Sequence, residues 1–174
     1  MSAASTTTID RKFITEFTRR WAAAWDSHDP DQILALCTDD IRWYDPALPE
    51  QIQGREAVHE FLTSTLRGFP DVKFTPIGEA YLRLDDEAAA LYWSVDGTML
   101  GPVDPPGLAP TGRRIEGEGI DLYRFRGDLL AEYTTVYDLS TWMRAMGLLP
   151  KRGGRAERVG AVLQRTGMRL RRRR

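Results

Sequence analysis

The sequence predicts an α+β domain in which helices cover one face of a strongly curved, mostly antiparallel sheet. Three observations carry that expectation. Apolar residues recur at helical spacing over residues 9–67, and over residues 72–138 they switch to strand-like alternation. The two patterns follow one another instead of interleaving, which argues against a parallel sheet with crossover helices. Finally, 174 residues with 42% hydrophobic and 10% aromatic content suffice for one sizeable core and leave no room for a second full domain.

Each element has a local cause. Ile9, Phe13, Phe17, Trp21 and Trp25 recur every four residues with Ile14 beside them, which sets an amphipathic helix over residues 9–27, capped by Thr8 or a neighbour. Asp29-Pro30 opens a second short helix, because an Asp accepts from free N–H groups at a helix start and Pro at the first helical position has none to lose. Ile33, Leu34 and Cys37 supply its buried face. Residues 41–45 read as a strand, ended by Pro46 and Pro49. A third helix over residues 55–67 carries the stripe Val58, Phe61, Leu62 and Leu66, and Gly68 stops it.

Strands follow at residues 72–75, 77–84, 88–96, 115–125 and 129–138, with turns at Asp85-Asp86-Glu87 and Gly127-Asp128. A last short helix runs from near Ser140 to Gly147. Between two long strands, residues 99–114 hold Gly101, Pro102, Pro105, Pro106, Gly107, Pro110 and Gly112, too many breakers for a regular element. A loop of this length reads as the lid or rim of a binding site, with a rigid surface crossover as the alternative.

Composition narrows the class of function. No apolar run approaches the roughly 20 residues needed to span a bilayer. Residues 1–8 lack the basic start and apolar centre of a secretory leader, so a cytoplasmic location is expected. The single cysteine, Cys37, has no internal disulfide partner and reads as a buried thiol. Charge is unevenly spread: residues 1–150 carry 14 Lys and Arg against 24 Asp and Glu, whereas residues 151–174 carry 10 against Glu157 alone. The expected organisation is a flexible N-terminus over residues 1–9, one domain over residues 10–149 and a basic extension over residues 150–174.

Two carboxylates occupy unusual places. Asp45 ends the aromatic strand Ile41-Arg42-Trp43-Tyr44-Asp45-Pro46, and Asp121 sits inside Gly119-Ile120-Asp121-Leu122-Tyr123-Arg124-Phe125. An acid turned inward from a strand loses hydration, which raises its pKa toward neutrality and suits it to acid–base work. The bland readings are a turn cap for Asp45 and a satisfied core acid for Asp121. His28 and His59 are scattered and both read as solvated, so no metal site is expected. No phosphate-cradling glycine loop and no nucleophilic serine elbow occur, and no cofactor is implied.

With these elements in order, the chain resembles a known superfamily. The stretch from Phe17-Thr18-Arg19-Arg20-Trp21 to Asp45-Pro46, then Gly54-Arg55-Glu56-Ala57-Val58 to Phe61, is similar to the opening of the ketosteroid isomerase and SnoaL-type polyketide cyclase superfamily. Gly119 to Phe125 and the ending from Tyr137-Asp138-Leu139 to Met146-Gly147-Leu148-Leu149 resemble its SnoaL branch. The resemblance implies a nuclear-transport-factor-2-like fold, a cone of curved sheet closed by helices around an apolar cavity. It implies that Asp45 is a proton-shuttling base and Asp121 a protonated acid that donates to an enolate. Trp21 stands where the isomerases have a tyrosine, and an indole donates one hydrogen bond without a tyrosine's acidity.

The cyclase branch offers Asp138 as the base instead, and N-capping of the last helix is that residue's bland alternative. Trp21, Trp25, Trp43, Phe61, Tyr123 and Phe125 are the candidate substrate-binding surface, although an aromatic stripe such as that of Trp21 is more often plain core. The resemblance thus implies a cofactor-independent isomerase or cyclase acting by proton transfer on a small apolar carbonyl compound. A non-catalytic binder of small hydrophobic ligands is the alternative, and an epoxide hydrolase, for which an Arg is wanted near Ser94, comes third. A homodimer and no specific nucleic acid are expected. The basic extension, with Ala156, Val159, Leu163 and Leu170 at near-helical spacing among arginines, suggests contact with a membrane or other anionic surface, docking on the acidic body or a solvated tail.

Overall fold

The computed structural model describes residues 9–83, 88–104 and 106–171. Five helices and seven strands follow in the order α1 (Arg11–Asp26), α2 (Pro30–Leu34), β1 (Cys37–Tyr44), β2 (Ile52–Gln53), α3 (Arg55–Gly68), β3 (Lys73–Pro76), β4 (Tyr81–Leu82), β5 (Ala88–Thr98), β6 (Arg114–Arg126), β7 (Leu129–Tyr137), α4 (Leu139–Ala145) and α5 (Arg155–Arg171). The strands form one open sheet in the order β2-β1-β7-β6-β5-β3, and β4 adds to β5 beyond that path. Every ladder is antiparallel except β1 on β7, which is parallel. Register breaks in β1 between Cys37 and Arg42 and in β6 between Arg124 and Phe125 bend the ladders, as bulges do. The α+β expectation with a curved, mostly antiparallel sheet therefore holds.

Strand alternation decides which side chains enter the core. On β5 the odd positions Ala89, Leu91, Trp93 and Val95 are buried, and on β6 Ile115, Asp121, Tyr123 and Phe125 are. The helices cover this inner face. On α1, whose cap is Asp10 accepting from the Phe13 N–H, the residues Ile14, Phe17, Trp21 and Trp25 point at the sheet. Trp21 is the hub: its ring centre lies 5.6–6.3 Å from those of Phe17, Trp25, Trp43, Tyr123 and Tyr133. Rings packed this way bury large areas, and removing one costs about 3–5 kcal/mol.

The details correct several expectations. Cys37 is the first residue of β1, not the end of α2, and burial pushes its thiol up to about 12. The strand expected over residues 77–84 shrinks to β4, because Pro76 cannot donate to a ladder and Gly78 takes a positive φ of 73°. Leu84, the turn Asp85-Asp86-Glu87 and the N-terminal stretch 1–8 lie outside the described residues. His28 bonds the Val72 carbonyl through Nε2 at 2.8 Å. The breaker-rich loop 99–114 is anchored on α3: the Leu100 and Gly101 N–H groups donate to the Gly68 carbonyl, and the Asp104 N–H donates to Ser64 Oγ at 2.9 Å. Among the described residues no helix is long and apolar enough to cross a membrane.

Candidate active site

Between the inner face of the sheet, α3, α4 and the anchored loop lies a cavity of about 570 Å³. Its wall is aromatic and apolar: Trp25, Trp43, Phe61, Phe69, Phe74, Trp93, Tyr133, Tyr137 and Trp142, with Met99, Met143 and Met146 at the end beneath the loop. Val103, Asp104, Pro106 and Leu108 bring the loop into the wall, so it acts as a rim. Among the described residues the wall holds the carboxylates Asp45 and Asp104 and no Lys, Arg or His.

Two absent side chains make room for two of the indoles. A Cβ at Gly119 would fall on the ring of Trp93, and one at Gly117 would fall on Trp142 Nε1. These glycines sit on β6 opposite Trp93 and Val95 of β5, so the strand stays in its ladder while the rings lie across it. Trp142 in turn stacks on Tyr137, with ring centres 4.0 Å apart and planes 16° apart.

Asp45 stands at the mouth of β1 on the cavity wall. Its Oδ1 accepts from the Tyr137 hydroxyl at 2.6 Å and from the Ala47 N–H at 2.7 Å, and Oδ2 has no partner among the described residues. Burial raises its pKa above the ordinary carboxylate value, while the Tyr137 and Ala47 hydrogen bonds pull the other way. The turn bond and the pocket position coexist here: Asp45 caps its own turn through Oδ1 and is also part of the cavity wall. Tyr137 is a site residue that the sequence reading passed over, and its signal was the inward phase of β7, on which Tyr133, Thr135 and Tyr137 alternate.

Asp121 is fully buried one layer deeper. Its Oδ1 accepts from Trp93 Nε1 at 2.7 Å and from the Tyr133 hydroxyl at 2.9 Å, and its Oδ2 accepts from the Tyr123 hydroxyl at 3.0 Å. Burial dominates and pushes the carboxyl up to about 6; these donors and Thr135, its register partner on β7, act in the opposite sense. Asp121 is absent from the wall of the large cavity and instead borders a void of about 20 Å³, the space of one water molecule, with Trp21, Leu91 and Trp93. Between it and the large cavity stand Trp93 and Tyr133, which face both spaces, and Thr135, which lines the large one. Burial together with the neighbouring Asp121 raises Tyr133's pKa strongly, and Asp45 adds to that effect.

The remaining candidates divide. Trp25, Trp43 and Phe61 lie on the cavity wall, and the Trp43 indole N–H is buried without a partner among the described residues. Trp21, Tyr123 and Phe125 do not line the cavity; they belong to the core beneath α1, where Phe125 packs edge-on against Phe13 and Phe17. Asp138 does not line the cavity either. It is exposed and caps α4, accepting from the Thr141 N–H and from the Ser140 and Thr141 hydroxyls, and these bonds hold it well below the usual carboxylate range. Ser94 lies on the face of β5 opposite Trp93 and Val95. No cluster of three or more His, Cys, Asp or Glu suited to a metal ion occurs among the described residues.

An open, curved sheet with helices closing one side over an aromatic cavity is the nuclear-transport-factor-2-like fold. The SnoaL-like domain family matches residues 18–133, and the chain belongs to that family. Solved structures share the fold. A candidate SnoaL-like polyketide cyclase from Jannaschia sp. CCS1 superposes with a TM-score of 0.70 at 17% identity, over 84% of this chain and 100% of that one. AclR, a candidate hydroxylase from Streptomyces galilaeus, gives 0.68 at 18% identity, over 95% and 99%. A hypothetical protein with a ketosteroid isomerase-like fold from Catenulispora acidiphila DSM 44928, solved in complex with trimethylamine, gives 0.63 at 24% identity, over 78% and 94%. A search of curated proteins found no match.

Proposed function

We propose that the protein is a cofactor-independent enzyme of the isomerase or cyclase type, acting by proton transfer on a small, uncharged, apolar carbonyl compound. The observation that carries this reading is Asp45, a cavity-wall carboxylate with a raised pKa, one oxygen fixed by Tyr137 and the other unpartnered. In the proposed step, Oδ2 of ionised Asp45 takes a proton from the carbon next to the ligand's carbonyl, and the electron pair moves onto the carbonyl oxygen as an enolate. Where a neighbouring double bond extends the enolate, it takes the proton back from Asp45 at the far carbon, giving isomerisation; where the same molecule carries a second carbonyl, the enolate carbon attacks it and the alkoxide so formed takes the proton from Asp45, giving ring closure. Tyr137 holds Asp45 in place through its hydroxyl.

The wall also indicates the ligand class. A carboxylate or phosphate ligand would sit beside Asp45 in an apolar wall with no cation among the described residues to offset it, which is costly. A flat neutral ketone suits the indoles and the adaptable methionines.

A specific observation supports the second reading, a non-catalytic binding protein. Both tyrosines nearest the carboxylates already donate to them, Tyr137 to Asp45 and Tyr133 to Asp121, so neither is free as an oxyanion donor. For the third reading, epoxide hydrolysis, the wall supplies no Arg among the described residues.

The test uses 2-tetralone, a flat neutral ketone with exchangeable protons, in deuterium oxide. Wild-type protein accelerates α-proton exchange followed by NMR, and Asp45→Asn does not. Equal acceleration by both proteins would end the assignment of Asp45. A raised melting temperature with tetralone but no exchange would favour the binding protein.

A further inference from the structure

We propose that α5 is a surface-docking helix that lays its outward stripe on anionic lipid. The observation is an inversion of the usual amphipathic arrangement. A helix packed on a domain ordinarily turns its apolar face inward. Among the described side chains of α5 the half-buried positions are Glu157 and Ala161, one turn apart, and Glu157 lies 3.9 Å from Arg144 of α4 and accepts from the Gly153 N–H. The opposite side of the helix carries Val159, Val162 and Leu163, which are 58%, 57% and 67% exposed. None of the three belongs to either buried apolar cluster of the protein.

Charge selects the occupant. Residues 151–174 carry ten basic residues against one acidic. Arg155 heads the apolar stripe, and Arg158 and Arg165, seven residues apart, run along its flank, all three exposed. An apolar stripe needs an apolar partner and a basic flank needs anions; a leaflet of anionic lipid offers both in one plane. The acidic surface of residues 1–150 answers only the second need. Gly160 and Gly167 lower the intrinsic helix stability of the segment, and the lost freedom keeps docking reversible.

Full-length protein is sedimented with vesicles of phosphatidylglycerol and with vesicles of phosphatidylcholine. It associates with the first and not the second, and high salt releases it. Val159→Gln/Leu163→Gln, chosen because Gln keeps the helix, removes the association, and Arg158→Gln and Arg165→Gln each weaken it roughly fivefold. All variants keep the wild-type melting temperature. Three outcomes overturn the proposal. One is no association with phosphatidylglycerol. Another is association that Val159→Gln/Leu163→Gln leaves unchanged, which would mean charge alone, as would equal affinity for duplex DNA. The third is a lipid-free dimer that this variant dissociates, which would assign the stripe to a second copy.

Discussion

Asp45 and Asp121 are both raised by burial, yet they differ in what reaches their oxygens. Asp45 lies on the cavity wall, and in the proposed function its titration governs turnover. A base must be ionised, so the rate falls as pH drops through its raised pKa. Tyr137→Phe removes a bond that favours the ionised form, and the acid limb of the pH–rate profile moves to higher pH; movement to lower pH would contradict the assignment. Asp45→Asn lowers kcat/KM by about 10²–10⁴-fold with little change in melting temperature. Asp121, sealed beneath Trp93 and Tyr133, belongs to stability instead. Its folded value of about 6 exceeds the 3.8 of a free Asp. The folded state therefore binds the proton more tightly, and this contribution is full below pH ~4 and lost as pH rises through about 6. The gap is worth roughly 3 kcal/mol. In urea titrations at several pH values, Asp121→Asn gains on wild type over that window; a constant difference would sink the argument. The sequence disclosed that Asp121 faces inward, because alternation reports the face of a strand. It did not disclose depth, which is set by Trp93 and Tyr133 lying over the carboxyl.

At the scale of elements, α4 is the clearest case of a residue whose chemistry was legible and whose job was not. Asp138 precedes Leu139-Ser140-Thr141, and a carboxylate there serves equally well in sequence as a strand-end base or a helix cap. The three hydrogen bonds from Ser140 and Thr141 make it the cap. Asp138→Ala costs about 1 kcal/mol of stability, and Asp138→Asn, which still caps, keeps both stability and tetralone exchange. A loss of exchange in Asp138→Asn with unchanged stability would restore it as the base. The cap matters for the cavity because α4 carries Trp142, Met143 and Met146 into its wall. The pattern of β6 was read as plain alternation, and the use of Gly117 and Gly119 as seats for the indoles was hidden because the Trp partners come from other elements. Gly119→Ala destabilises by about 1–3 kcal/mol in thermal unfolding, since the Trp93 ring must leave its site.

For the whole molecule, the acidic body and basic extension are separable in energy. No described residue of α5 enters the buried clusters, and the links Arg144–Glu157 and Arg152–Asp138 are pairs at 3.9 Å and 3.6 Å with solvent on at least one partner. Deleting residues 151–174 therefore leaves the melting temperature within a few degrees of wild type, as scanning calorimetry would show; a large drop would mean that the body depends on the extension. The order of helices before strands was plain in the sequence, whereas the parallel joint of β1 with β7 was not, because periodicity carries no information on partners. That joint has a temporal meaning. Asp45 and Tyr137 are 92 residues apart, and the long ladder that fixes β1 is formed with the last strand of the sheet. During synthesis α1, α2 and α3 leave the ribosome well before β7 does, and closing so distant a pair is slow. The carboxylate proposed to do the chemistry thus acquires its partner only as the sheet is completed, so a half-made chain carries the base in no working arrangement.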